Sequence, residues 1–338
     1  MTRSALILLF VCLVPVCRGQ MYDFFIEDND WKYHRHHFEF GVGTTNFLGD
    51  LGGKDGIGTN DLKDLEWTEF HLAGLAGYRY TFKKWLFGRL DFSYSRIAGD
   101  DKLTQEAFRN NRNLHFRSNV FEINLMPEIH LRLGGKRGHQ YQIDRVNKNS
   151  GPWRIRGSYF SVFGGIGIMH HNPKAKLGGT WYDLRPLRTE GQGLPGGPEE
   201  YKLWRLNVPV GFNFMVRVHR QWLFGFEVTY RFTFTDYLDD VSTNYYNPYD
   251  LALYQQGTGM EDIAAYLSNP ALGLANGGLP DMATAPGQQR GDPRDNDAYF
   301  YVMFKADYML MKQDNFTKRK TKGFGRGRRA RTIRPMRF

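Results

Sequence analysis

Cysteine is almost missing from this 338-residue chain: Cys12 and Cys17 are the only two. Both stand at the very beginning, so the rest can build neither a disulfide framework nor a cysteine-ligated metal site. Long apolar runs are missing as well. Beyond the N-terminus nothing approaches the ~18 consecutive apolar residues of a membrane-crossing helix, and mean hydropathy is −0.53. A membrane protein this polar must spread its apolar side chains over every second position, as a β-barrel does. Acidic residues are scarce in one region only. From Lys312 to Phe338 there are eleven Lys or Arg and one acid, Asp314, which leaves 34 basic and 34 acidic residues elsewhere. The net charge of +10 is therefore a property of the tail.

The opening MTRSALILLFVCLVPVCRGQ has a basic start at Arg3, an apolar run from Ala5 to Val16 and small residues at Cys17 and Gly19. This predicts a secretory signal peptide over residues 1–19. As an uncleaved anchor it is too short, and acylation of Cys17 would require a small residue just before it, where Val16 stands. An acidic, aromatic lead-in over residues 20–35 follows. His34, His36 and His37 offer imidazoles without the spacing of a metal site, so a strand start is the simpler reading.

What the chain does have is aromatic residues (15%), 38 glycines and strict alternation. The clearest run is QWLFGFEVTYRFTFTDYLDDVS, residues 221–242. Trp222, Phe224, Phe226, Val228, Tyr230, Phe232 and Phe234 occupy the even positions, and Gly225, Glu227, Thr229, Arg231 and Thr233 the odd ones. Thirteen alternating residues exceed a soluble strand of about five or six and suit a tilted bilayer crossing. Seven further runs share the pattern, around residues 38–42, 70–80, 86–95, 116–133, 160–168, 206–216 and 299–311; Pro127 within the fourth predicts a bulge or frayed edge. The fold class expected is all-β, an eight-stranded antiparallel up-and-down transmembrane β-barrel over residues 36–311. Long outer loops at 47–66, 97–113, 171–203 and 235–297 and a disordered basic tail over 312–338 complete it.

An eight-stranded barrel is just wide enough to be filled by side chains. The inward set assigned by alternation mixes signs: Glu39, Glu69, Asp91, Glu122, Glu128 and Glu227 with Arg79, Arg89, Arg217, Arg231 and Lys305. Buried charges need partners, so a plug of ion pairs without an open pore is expected. At the outer end Asp50, Asp100, Asp101, Asp236, Asp239 and Asp240 fall at strand–loop junctions. Convergence would make an oxygen-ligand site for a divalent cation on the outer face; solvated turn acids are the simpler reading. Gly191, Gly193, Gly196 and Gly197 lack the Lys-Ser/Thr of a phosphate loop and read as bends. Neither cofactor nor nucleic acid is expected. The tail's Lys318, Arg319, Lys320, Lys322, Arg326, Arg328, Arg329, Arg331, Arg334 and Arg337 are candidates for contact with an acidic periplasmic partner. With the short turns at 82–84 and 219–221, both termini are expected in the periplasm, and so is the basic connection 134–157.

The segments NFLGDLGG, SRIAGDD, RNLHFRSNVFEINL, LRTEGQG and above all RFTFTDYLDDVSTNYY resemble the PorG-like outer-membrane family of the Bacteroidetes type IX secretion system, over most of residues 36–311. The resemblance implies an eight-stranded outer-membrane barrel that touches a periplasmic ring of PorK and PorN, without catalytic residues. A surface adhesin using Tyr245, Tyr246, Tyr249 and Tyr254 is the alternative. A lipid hydrolase would need Ser, His and an acid on the lipid-facing set, which is almost wholly apolar.

Overall fold

Alternation with period two puts each strand's apolar residues on one face, and a sheet of such strands either finds a second layer or closes on itself. The computed structural model describes residues 35–51, 71–83, 85–104, 106–133, 158–218 and 221–310, and in it the sheet closes. Its strands are β1 (His36–Leu48), β2 (His71–Thr81), β3 (Leu86–Asp100), β4 (His115–Leu133), β5 (Ser158–Gly164), β6 (Ile166–His170), β7 (Pro173–Leu177), β8 (Thr180–Asp183), β9 (Trp204–Arg217), β10 (Trp222–Thr233) and β11 (Ala298–Leu310). The ring runs β1, β2, β3, β4, then β5 with β6, then β9, β10, β11 and back to β1. Every pairing is antiparallel, from Leu86↔Ile129 to Asp100↔His115 between β3 and β4, and from His36↔Leu310 to Leu48↔Ala298 at the β1–β11 seam. Since β5 and β6 share one place in the ring, the wall has the eight staves expected.

The bulge expected at Pro127 is not there. The β3–β4 register runs straight through Gly88↔Pro127. The interruption falls on the neighbouring stave instead. Pairing with β4 passes from Glu128↔Phe163 to Leu125↔Ile166 without a slip, and pairing with β9 from Gly164↔Val210 to Gly167↔Asn207. Gly164 thus faces Pro127, and Gly165 faces Pro209. Neither proline has an N–H to give to the ladder, so the shared stave breaks into β5 and β6 while its register survives.

The polarity is inverted relative to a soluble barrel. Phe40, Val42, Leu72, Phe92, Phe121, Ile123, Leu125, Ile166, Ile168 and Phe304 are exposed on the outside, whereas Glu39, Arg79, Arg89, Asp91, Glu227 and Lys305 are buried inside. Staves of about 13 residues, rising ~3.3 Å each and tilted by ~40°, stand roughly 33 Å tall, enough for an apolar band of about 25 Å. This is a transmembrane barrel.

The long outer loops are partly built. β3 runs on to Asp100, so the connection to β4 shrinks to a 3₁₀ turn and α1 (Ala107–Arg112). Residues 171–203 carry the β7–β8 hairpin, which extends β4 beyond the ring through Arg117↔Lys174, and α2 (Leu184–Leu187). Residues 234–297 carry α3 (Pro248–Tyr254) and α4 (Glu261–Ser268). Gly191, Gly193 and Gly196 all take positive φ, as bends require. The start of β1 and the end of β11 lie at the end of the short turns. The signal peptide, most of the lead-in with His34, Glu69, the 134–157 connection and the whole tail from Lys318 to Arg337 lie outside the described residues.

Candidate functional site

The barrel interior is filled in layers. At the short-turn end Tyr159, Met215, Leu223 and Met309 form an apolar floor. Above it lies the ion layer. Arg79 reaches Glu39 (2.9 Å), Glu128 (3.2 Å) and Asp307; Arg89 reaches Glu227 (2.7 Å) and Asp91 (3.0 Å); Lys305 bridges Glu39 (2.6 Å) and Glu227 (2.9 Å). His37 against Asp307 and His130 against Glu128 complete it. Higher still, Glu122 takes Arg231 at 2.9 Å and accepts hydrogen bonds from Asn124 and from the hydroxyls of Tyr299 and Tyr301. Of the eleven charged residues assigned inward, Glu39, Asp91, Glu122, Glu128, Glu227, Arg79, Arg89, Arg231 and Lys305 take part in these ion pairs. Arg217 stands half-buried at the floor, one guanidinium nitrogen 3.7 Å from Met309 Sδ. Asp307, outside that set, follows from the same alternation. The two histidines do not, because an imidazole on an inward stripe carries no sign that it will meet a carboxylate.

The outer mouth is closed by the chain segment that follows β10. Leu238 and Val241 drop into a buried cluster with Phe47, Ile97, Phe116 and Tyr301. Asp240 between them adopts φ 69°, a left-handed conformation that aspartate tolerates better than most residues. The surrounding acids hold this stopper by its backbone. The Val241 amide donates to Asp239 Oδ1 (2.9 Å), the Leu51 amide to Asp239 Oδ2 (3.1 Å) and the Leu238 amide to Asp297 Oδ2 (2.8 Å).

Glu190 fastens the stopper to the rest of the cap. Its carboxylate accepts from the amides of Ser242 (2.9 Å) and Thr243 (3.0 Å), from the Thr243 hydroxyl (2.7 Å) and from Arg290 (2.9 Å). Arg290 also donates to the carbonyl of Asp240, whose carboxylate takes the hydroxyls of Thr189 and Tyr201. Arg112 forks onto Asp101 (2.7 and 2.9 Å) and donates to the carbonyls of Asp50 and Arg290. NFLGDLGG, SRIAGDD, RNLHF, LRTEGQG and TDYLDDVS, distant in sequence, meet in this cap.

The six aspartates considered for a cation do not converge as a set. Asp100 caps the 3₁₀ turn through the Lys102 amide, Asp101 is bound by Arg112, and Asp240 faces Thr189 and Tyr201. Asp50, Asp236 and Asp239 do feel one another, and Asp297, which sequence reasoning passed over, joins them. Among the described residues no three acids, histidines or cysteines stand at metal-ligand spacing. Burial, first of all, lifts the Asp236 carboxyl to about 9; the Ser242 hydroxyl opposes this, while the charges of Asp50, Asp239 and Glu190 add to it. Burial raises Asp50 to about 6 against the Asp292 amide and Arg112. Asp239 and Asp297 are raised by burial and then by their acidic neighbours. Asp50 also lines a cleft of about 440 Å³ that opens outward between α1 and residues 283–292, with Phe108, Arg109, Tyr245 and Gln289 among its walls.

Raised carboxyls set the sign of a pH dependence. Between the unfolded value near 4 and the folded values, the native cap holds protons that the unfolded chain has released, so stability falls as pH rises through that window. Limited proteolysis of residues 234–297 is expected to be slowest near pH ~4 and to quicken towards pH ~9, and Asp236→Asn is expected to flatten the upper part of that slope. A rate that falls with pH, or a slope unchanged in the variant, would contradict the cluster as described.

No family model matches the sequence, and no curated protein matches it. Among solved structures the chain is similar to Ail, the attachment invasion locus protein of Yersinia pestis, in complex with the heparin analogue sucrose octasulfate. Identity is 9%, coverage is 82% of this chain and 99% of that one, and the TM-score is 0.33. It is also similar to Neisserial surface protein A (6% identity, 81% and 97% covered, TM-score 0.32) and to the N-terminal β-barrel domain of Pseudomonas aeruginosa OprF (6%, 82% and 99%, TM-score 0.29).

Proposed function

We propose that this protein is a non-enzymatic component of the bacterial outer membrane that serves the type IX secretion machinery by holding the periplasmic PorK and PorN ring at that membrane. The observation that carries the structural half of this reading is the sealed interior. A barrel closed by an apolar floor, an ion layer and a stopper offers no conduit, so its working surfaces are its rims and its tail. The partner half rests on the resemblance of the five segments that build the cap. Both ends of the strand ring lie with the short turns, which supports reading the 134–157 connection and the basic tail as periplasmic, where the ring would be met.

The adhesin alternative keeps part of its tyrosine surface: Tyr245 is buried and Tyr246 donates to the Pro195 carbonyl at 2.9 Å, while Tyr249 and Tyr254, the latter beneath Arg188, are exposed. A lipid hydrolase finds no support between the rims of the outward stripe, where Phe92, Ile123, Leu125 and Phe304 are exposed.

Deleting residues 317–338 is expected to leave the barrel inserted and heat-modifiable while ring proteins recovered with it from solubilised envelope fall severalfold. Mass spectrometry of the co-purified material measures this. Undiminished recovery of the ring would remove the tail from the contact, and recovery of no ring protein by the full chain would remove the secretion role.

A further inference from the structure

The outward face of the barrel changes character abruptly at the loop end of β3 and β4. Register pairs Tyr94 with Phe121, Phe121 with His170 and His170 with Trp204, so four neighbouring staves carry rings along one hydrogen-bonded row. The Tyr94 and Phe121 rings lie 4.9 Å apart, as do those of His170 and Trp204. Such a girdle marks the boundary between hydrocarbon and headgroups. Directly above it the same stripe turns basic. Arg96 stands opposite Asn119, two residues beyond Tyr94, and Arg117 opposite Lys174, four beyond Phe121. At ~3.3 Å per residue and ~40° of tilt, Arg96 sits roughly 5 Å and Arg117 roughly 10 Å above the girdle, within or just above the headgroup zone.

Among the described residues no acid neutralises these two cations. Arg96 donates to Asn119 Oδ1 at 3.2 Å, and Arg117 lies 3.8 Å from the Trp181 ring centroid; the two guanidinium groups repel each other. Among the described residues neither has a carboxylate within salt-bridge distance, although Lys174 beside them is paired with Asp183 at 2.8 Å. Holding like charges together next to an apolar surface is costly unless an anion lies between them. At 3.8 Å the Trp181 ring lies within cation–π distance of the Arg117 guanidinium, a group suited to two-pronged contact with phosphate.

We propose that Arg96 and Arg117, on the pedestal of Trp181, bind a phosphate on the headgroup of an outer-leaflet glycolipid whose acyl chains lie along the Tyr94–Phe121 stripe. The proposal rests on the outer-membrane reading, since it needs the loop end of the barrel to face outward. Lipid is the occupant because the basic pair continues the apolar belt without a break; the cap's cleft lies elsewhere.

The test uses the full chain in phosphatidylcholine nanodiscs, titrated with bis-phosphorylated lipid A and scored by native mass spectrometry for retained lipid A. Retention is expected in the parent. Arg96→Gln with Arg117→Gln should weaken it roughly ten- to hundredfold, and dephosphorylated lipid A should lose as much against the unaltered protein. Both side chains point away from the lumen, and heat-modifiability of the variant establishes that it is folded. Equal retention by variant and parent, or complete displacement by millimolar inorganic phosphate, would overturn the site while leaving the barrel reading intact. A chain that cannot be reconstituted into nanodiscs would overturn both.

Discussion

Replacing Glu190 by alanine is expected to free the outer stopper without dismantling the wall. The carboxylate is buried and receives two backbone amides, a hydroxyl and the Arg290 guanidinium. Removing it leaves those donors unpaired and Arg290, also buried, without its acid. Breaking a buried pair from one side typically costs about 3–5 kcal/mol. The Thr243 carbonyl takes the Arg290 and Gly291 amides, so the loss spreads along the chain towards β11. Hydrogen exchange at Ser242 and Thr243 should therefore quicken by two to three orders of magnitude, roughly what ~3–4 kcal/mol corresponds to. Cleavage of residues 234–297 by added protease should rise with it, while the strand amides stay protected. If exchange at Ser242 and Thr243 is unaltered, Glu190 does not hold the cap.

The second large effect is expected in the lumen. Arg89 lies at its centre, bonded to Glu227 and Asp91, within 4 Å of Glu39 and Glu128, and 4.1 Å from the Phe163 ring centroid. Arg89→Ala would leave four buried carboxylates with Arg79, Lys305 and His130 as their basic partners among the described residues and would open a cavity as well. A loss of about 3–5 kcal/mol is expected, read from urea unfolding in lipid vesicles. The carboxylates are the reason, so neutralising some of them should restore part of the loss: Arg89→Met with Glu227→Leu and Asp91→Leu should be more stable than Arg89→Ala alone. A loss below ~1 kcal/mol for Arg89→Ala, or no rescue by the combined variant, would mean that the layer is not held by this pairing.

Much of this architecture could be read from residue order. The residues facing out along 222–234 and those facing in, Glu227 and Arg231 among them, are where alternation puts them, because a strand's side chains can point only two ways. The break at Gly165 was less readable. It arises from two prolines on flanking staves, Pro127 and Pro209, and only the register reveals that they face the same stave. The cap was read least well. Glu190 sits in a glycine-rich stretch that reads as bends, Arg290 in a polar loop and Asp297 at a strand end, and none belongs to a periodic pattern.

By itself, the sequence determined the number of staves, their inward and outward faces and the concentration of positive charge in the tail, because each depends on residues close together in the chain. Only the tertiary structure decided which aspartates share a neighbourhood, what closes the mouth and where two arginines stand together above the aromatic row. Those outcomes depend on ring closure, which brings side chains more than a hundred residues apart, such as Glu190 and Arg290 or Arg89 and Glu227, within hydrogen-bond distance. No local pattern encodes such a separation.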